Sequence, residues 1–262
     1  MEIIGYTAAI LIGVSLGLIG GGGSILTVPV LVYLFGIDAF LATEYSLFVV
    51  GISSLVGSVS YFKKGLVDFK MALIFGIPSV ISIFLTRTYL LPLIPQEVFR
   101  KQDFTITRNI LLLLIFAGLM ILASYKMIKS NSSKESLEST ENNVYLAAGQ
   151  GSIVGVLTGL VGAGGGFMII PALVNLLKIP MKMAIGTSLV IISINSLIGF
   201  FSSVNHMKIE WKFLISITGI AIAGIIIGSQ LSGKIDGKKL KPAFGWFILI
   251  MGIYIITKEI FL

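Results

Sequence analysis

Ten apolar stretches alternate with short polar joints along the chain, at roughly 3–20, 24–36, 39–62, 70–91, 106–128, 144–162, 166–178, 183–205, 211–230 and 240–261. Eight approach or exceed the ~17 residues that a helix needs to cross the hydrocarbon core of a membrane, and two (24–36 and 166–178) fall short. Each short stretch follows a run of glycines, Gly20–Gly23 or Gly162–Gly166. The pattern predicts a helix that enters the bilayer, breaks at the glycines and resumes as a short piece starting at about Ser24 and about Gly166. The first stretch has Glu2 in place of a basic leader and no small-residue cleavage site after it, so it reads as structure and not as a signal peptide. Ser130–Asn143, rich in Ser, Glu and Asn, is too polar for lipid and too short for a domain. It reads as a solvated tether.

The tether separates two copies of one pattern. A shift of 142 residues without a gap lays Gly13-Val-Ser-Leu-Gly-Leu-Ile-Gly-Gly-Gly-Gly23 on Gly155-Val-Leu-Thr-Gly-Leu-Val-Gly-Ala-Gly-Gly165. The same register pairs Pro29 with Pro171, Ser46 with Ser188, Ser54 with Ser196, Gly57 with Gly199 and Lys70 with Lys212. Apolar helices resemble one another by composition, but matched Gly, Pro and Ser in one register do not follow from composition. The chain therefore divides into a first transmembrane repeat at 1–128, a polar linker at 129–143 and a second repeat at 144–262.

Composition narrows the class. Hydrophobic residues make up 56% of the chain and charged residues 12%, against ~25% charged in a soluble domain. That is too little charge for a water-covered surface, which sets aside soluble enzymes, nucleic-acid binders and disordered chains. The net charge of +7 sits mostly in short tracts between apolar runs, where it orients the chain in a bilayer. If each glycine-tipped pair is a hairpin that returns, the Lys and Arg residues fall 12 to 7 on the two sides; if it is one broken crossing helix, they fall 10 to 9. The positive-inside rule favours the hairpin, with inverted repeats, both termini outside and the linker in the cytoplasm. The chain has no cysteine and one histidine, so disulfides, thiolate chemistry and a multi-histidine metal site are not expected, nor is a cofactor. No GxxxxGK[ST] or GxGxxG spacing is present, so no nucleotide-driven step is expected, and any directed movement of a solute would need an ion gradient (H+ or Na+), the solute's own gradient or an external partner.

The glycine tips are the strongest chemical signal. Consecutive glycines disfavour a continuous helix by ~1 kcal/mol each and leave bare backbone that lipid cannot satisfy. A short helix restarting after each tip offers unpartnered amides and about half a positive charge at its N-terminus. Two such ends, at Gly21, Gly22, Gly23 and Ser24 and at Gly164, Gly165 and Gly166, would form an anion site without a buried cation. The alternative is close helix packing, which Gly13-x-x-x-Gly17 and Gly155-x-x-x-Gly159 fit well. Ser46, Ser53, Ser54, Thr187, Ser188, Asn195 and Ser196 are placed around the tips, where hydroxyl and amide groups replace part of an oxyanion's water; interhelical hydrogen bonds are the plainer reading of each. Glu44 aligns with Gly186 and breaks the symmetry, so it is either a proton carrier or an interfacial residue near a helix start. Arg87, with Gln230 as its approximate counterpart, is expected to snorkel to the outer headgroups, with an anion path as the alternative. His206, Trp211 and Trp246 read as interfacial or packing residues, and Pro92–Thr107 as an external amphipathic loop.

Gly20-Gly-Gly-Gly-Ser-Ile-Leu-Thr-Val-Pro29 and Gly162-Ala-Gly-Gly-Gly-Phe-Met-Ile-Ile-Pro171 resemble the glycine motifs of the sulfite exporter TauE/SafE family, as do Ala184-Ile-Gly-Thr-Ser-Leu189 and Asn195-Ser-Leu-Ile-Gly199. The resemblance covers essentially the whole chain. It implies an inner-membrane carrier, all α-helical, that moves sulfite, sulfoacetate or a related sulfonate, usually outward, with the tips and Thr187-Ser188 along the substrate path. Its partners would then be a small anion and the lipid bilayer, with no nucleic acid; a homo-oligomer is left open. A passive anion channel using the same tips as a filter is the alternative. An intramembrane enzyme lacks a matching acid–base pair or metal cluster.

Overall fold

The computed structural model describes residues 2–101, 104–129, 144–162, 164–177, 179–204, 208–232 and 237–261. The linker at 130–143 and His206 lie outside them. The described residues are helical except for one two-stranded hairpin. In the first half α1 (Glu2–Ile19) and α2 (Gly22–Tyr33) flank the first glycine tip and are followed by α3 (Ala39–Lys63) and α4 (Phe69–Leu85). Helix α4 runs on through a π-helical turn at Thr86–Leu90 into α5 (Leu91–Leu93). Strands β1 (Glu97–Lys101) and β2 (Phe104–Thr107) form an antiparallel hairpin where the sequence predicts a loop, and α6 (Arg108–Lys129) completes the half. The second half repeats the order with α7 (Val144–Val161), α8 (Gly166–Pro171) with a π turn at Ala172–Leu176, α9 (Met181–Ser203), α10 (Trp211–Ser232) and α11 (Gly237–Phe261).

Local chemistry sets the boundaries. Asp38 Oδ1 accepts the amides of Phe40 (3.0 Å) and Leu41 (3.3 Å) and so starts α3; Asp68 accepts the Met71 amide (3.0 Å) and starts α4. Pro180 stands at the start of α9, where its fixed φ suits the turn into a helix. Helix α2 begins at Gly22, two residues before the predicted Ser24, because the glycines there already adopt helical backbone. Helix α8 begins at Gly166 as the sequence predicts.

Helix α2 runs back along α1. Gly23 packs on the Ile12 carbonyl and Leu16, and at the far end the Phe35 ring lies over Gly5 and meets Tyr6 edge-on, centroids 5.7 Å apart. Helices from the two halves then pair reciprocally. Along α1, Gly13 meets Ala221 and Ile225, and Gly17 meets Ile225 to Ser229, while Gly224 and Gly228 of α10 lie on Ile10–Val14 and Val14–Gly17. Along α7, Gly151 lies on Phe75, Gly155 on Ser79 and Gly159 on Thr86 of the π turn that ends α4. Both pairs run parallel, through residues without Cβ, which is the small-xxx-small packing read from the sequence. Helices α3 and α9, equivalent in the two halves, cross antiparallel: Gly57 faces Leu189 (3.6 Å from a built Cβ), Gly51 faces Ser196 (3.2 Å) and Gly199 faces Leu47 (3.2 Å). Helices α6 and α11 pack on each other outside this core.

Five helical spans among the described residues are long and apolar enough to cross a membrane: Ala39–Lys63, Phe69–Leu93, Val144–Val161, Met181–Ser203 and Trp211–Ser232. Gly5–Ile19, Gly23–Tyr33 and Arg108–Leu122 are shorter apolar helices. The polar pattern is inverted relative to a soluble protein. Leu73, Ile77, Ile81 and Phe84 of α4 and Ile250 and Ile253 of α11 are exposed, while Ser24, Ser46, Ser53, Ser54, Thr187, Ser188 and Asn195 are completely buried. A bilayer satisfies the first set and a polar interior the second.

Candidate functional site

The two tips are built differently and meet. Helix α1 ends at Gly20 (φ +77°) and α7 at Gly162 (φ +71°), both in the left-handed region that glycine enters without steric cost. Gly164 (+64°) and Gly165 (+70°) of the second tip are also there, whereas Gly21 has φ −151°. Gly21 precedes α2 and Gly165 precedes α8, and no side chain caps either helix. A Cβ built on Gly166 would lie 2.6 Å from the Cα of Gly21, and one on Gly21 would overlap the Gly166 carbonyl. The beginnings of α2 and α8 therefore abut backbone to backbone, and any side chain at either position would part them.

Hydroxyls surround this junction. A built Cβ on Gly164 comes within 2.6 Å of Ser196 Oγ, one on Gly20 within 2.9 Å of Ser188 Oγ, and Gly165 faces Thr158 Oγ1. Ser188 donates to the Ile185 carbonyl (2.8 Å) and stands 3.4 Å from the Gly20 carbonyl. At the junction the hydroxyls of Thr158 and Ser196 are buried without a hydrogen-bond partner, as are Asn195 Oδ1 and, along α3, the hydroxyls of Ser46, Ser53 and Ser54. Asn195 Nδ2 donates to Ser79 Oγ (2.7 Å) and so ties α9 to α4. Leaving a buried polar group unpaired costs about 1–3 kcal/mol, so a bed of them calls for a guest, water or ligand, that completes it.

Besides Ser188 and Asn195, two more of the predicted residues are engaged in structure. Ser24 Oγ donates to the Gly21 carbonyl (2.7 Å) within its own helix turn, and Thr187 Oγ1 accepts the Asp68 amide (2.8 Å) and fastens the α3–α4 joint to α9. Gly22 and Gly23 continue α2 behind Gly21. Thr158 is a residue that sequence reasoning missed. It is the one hydroxyl within Gly155-Val-Leu-Thr-Gly159, four residues before the tip, and that placement was its available signal.

Arg87 corrects its sequence reading. Instead of snorkelling to headgroups it is buried (3% exposed), and its Nη1 pairs with Oε1 of Glu44, itself 2% exposed. The π turn at Thr86–Leu90 accounts for this: the extra residue in the turn swings Arg87 inward to α3 and α9. The interfacial reading of Glu44 falls for the same reason. Gly199 of α9 lies beside the Arg87 stem, a built Cβ standing 3.6 Å from Arg87 Cδ and 3.2 Å from both Ile83 and Leu47. The reciprocal packing assigns Arg87 to Ser229 and not to exposed Gln230, since Thr86 against Gly159 matches Gly228 against Gly17. At the equivalent place in the other half there is no ion pair. Tyr61 fills it, its hydroxyl donating to the Gly17 carbonyl (2.9 Å) and accepting from Ser232 Oγ (2.8 Å), with Gly186 beside its Cβ (3.0 Å). Trp211 stacks edge-on against Phe48 and Phe200, and Trp246 is half-exposed, in keeping with packing and interfacial roles.

Residues 6–255 match the family described as Sulfite exporter TauE/SafE. The chain is 27% identical over 255 residues to a "Probable membrane transporter protein" of Xylella fastidiosa (strain Temecula1), covering 95% of this chain and 92% of the relative. It is 28% identical to the "Probable membrane transporter protein YunE" of Bacillus subtilis (strain 168), with 93% of each covered. A similarly named protein of Methanocaldococcus jannaschii is 26% identical, with 94% of this chain and 92% of that protein covered. No solved structure matches.

Proposed function

The chain belongs to the sulfite exporter TauE/SafE family, whose members are membrane transporters and not enzymes, and on that premise we propose that it is a secondary carrier exporting a small sulfur oxyanion, sulfite or an organosulfonate such as sulfoacetate. The observation that carries this reading is the junction of two uncapped helix beginnings at Gly21 and Gly166, set among buried hydroxyls without partners. Helix N-termini favour anions through free amides and the helix dipole. Neutral hydroxyls complete the coordination without fixing a charge, so the guest can leave again. Gly21, Gly22, Gly23, Gly164, Gly165 and Gly166 then present backbone, and Ser46, Ser188, Asn195 and Ser196 side chains.

A carrier accounts for the burial better than an open filter does. Ser188 and Ser196 beside the tips are 0% exposed, which fits a guest that enters when helices move. The returning α1–α2 hairpin and the antiparallel crossing of α3 and α9 support repeats inverted in the membrane, and the Lys and Arg distribution supports termini outside and the 129–143 linker in the cytoplasm. Glu44 is the carboxylate placed to take up a proton during the cycle, which makes H+ the coupling ion in place of Na+.

A thermal-shift panel on the purified protein with sulfite, sulfoacetate, thiosulfate, sulfate and simple carboxylates tests the substrate class. Stabilisation by sulfite or sulfonates supports it; stabilisation by carboxylates or cations alone overturns it.

A further inference from the structure

Arg87 holds Glu44 with only part of its guanidinium. Nη1 makes the contact, while Nε and Nη2 are buried and have no partner. Those two nitrogens form one edge of the planar group, the edge that grips two oxygens of a carboxylate, phosphate or sulfonate at once. The Arg87 side chain is 0% exposed, so bulk water does not serve it. Glu44 Oε2 is unpartnered as well.

The pair lies next to the tip junction. Thr43, the neighbour of Glu44 on α3, packs against Gly162 of the second tip. Along one face of α9, Ser196 meets Gly164 of that tip, Gly199 follows three residues on beside Arg87 Cδ, and Ser203 lies four further on, its Oγ donating to the Gly199 carbonyl (3.5 Å). Small residues thus lead from the junction to the guanidinium. The equivalent position in the other half is closed by Tyr61, and the cation beside it, Lys64, is exposed and donates to the Ser229 carbonyl (3.4 Å).

We propose that the free Nε/Nη2 edge of Arg87 is a second oxyanion subsite, which takes a singly charged sulfonate-class anion from the tips and does so as Glu44 accepts a proton. The inference rests on the carrier reading above. Charge balance supplies the proton. Glu44 and Arg87 together are neutral, and a monoanion added to them would leave an uncompensated negative charge away from water. Neutralising Glu44 restores the balance, and Glu44 can still accept from Nη1 and keep the guanidinium in place. It is a positioning residue. The groups acting on Glu44 are Arg87 and Ser203. Other ionisable groups on the packed helices turn elsewhere: Tyr45 accepts the Glu210 amide (2.8 Å), Arg108 stacks over Phe40 (4.1 Å), and Tyr89 is exposed. Lys208, Glu210 and Lys212, at the start of α10, are exposed.

The test uses isethionate, a monoanionic sulfonate with no other acid group, and the full-length purified protein in a weakly buffered solution near neutral pH. The wild type is expected to take up about one proton per isethionate bound, read by a pH dye. E44Q is expected to bind isethionate with no proton uptake. R87K, which keeps the charge but lacks the fork, is expected to lose about tenfold or more in affinity, with the same elution profile on size exclusion. Binding without proton uptake in the wild type, or wild-type affinity in R87K, overturns the subsite and leaves the carrier reading standing. No isethionate binding by the wild type removes the sulfonate assignment and the subsite with it. The wild-type proton count stands even where a variant fails to fold.

Discussion

At the level of single residues, Glu44 and Arg87 carry the largest stored cost. Two buried charges are tolerable only together, and removing one partner of such a pair costs about 3–5 kcal/mol because the other is stranded. Arg87→Ala is therefore expected to lower the thermal midpoint sharply, and Glu44→Gln/Arg87→Gln to recover much of the loss; equal loss in single and double variants would show that the two act independently. In sealed vesicles Glu44→Gln should flatten the pH dependence of sulfite flux, and an unchanged pH profile would remove Glu44 from coupling. The pair was only half legible in the sequence. A carboxylate at membrane depth stands out, but the partner could not be named, because the π turn at Thr86–Leu90 that turns Arg87 inward leaves no clear mark on hydropathy.

Among elements, the glycine-lined helix pairs decide the architecture. Gly13 of α1 lies against the Ala221 carbonyl of α10, where any Cβ overlaps backbone. Gly13→Val is expected to destabilise the purified protein by at least the ~1–3 kcal/mol of an overpacked core, while Gly219→Ala, with nothing within 4 Å of a built Cβ, should leave the thermal midpoint unchanged. The ungapped repeat made these contacts readable in advance, since spacing of small residues is a direct record of helix approach. The returning hairpin was read from the distribution of Lys and Arg, and Phe35 over Gly5 agrees with it. The β1–β2 hairpin was missed because Glu97–Lys101 shows no clean alternation of apolar and polar residues, and the alternating Phe104–Thr107 is only four residues long. Thr187 illustrates a different limit: its hydroxyl suits an anion path in sequence and serves the Asp68 amide in the structure.

For the molecule as a whole, the native chain's lack of cysteine makes its sidedness directly measurable. Lys70 and Lys212 are repeat-related and both exposed. Single cysteines there should be labelled by an impermeant maleimide from opposite sides of the membrane; labelling from the same side would contradict inverted repeats. Above sidedness stands the claim that the abutting tips hold the transported anion. Its most direct test is radiolabelled sulfite exchange in proteoliposomes with Gly21→Ala and Gly166→Ala, each adding one methyl group where the tips touch. Exchange by the wild type that falls at least about tenfold in both variants, while each elutes as a monodisperse species, is the predicted result. Wild-type exchange in either variant would contradict it.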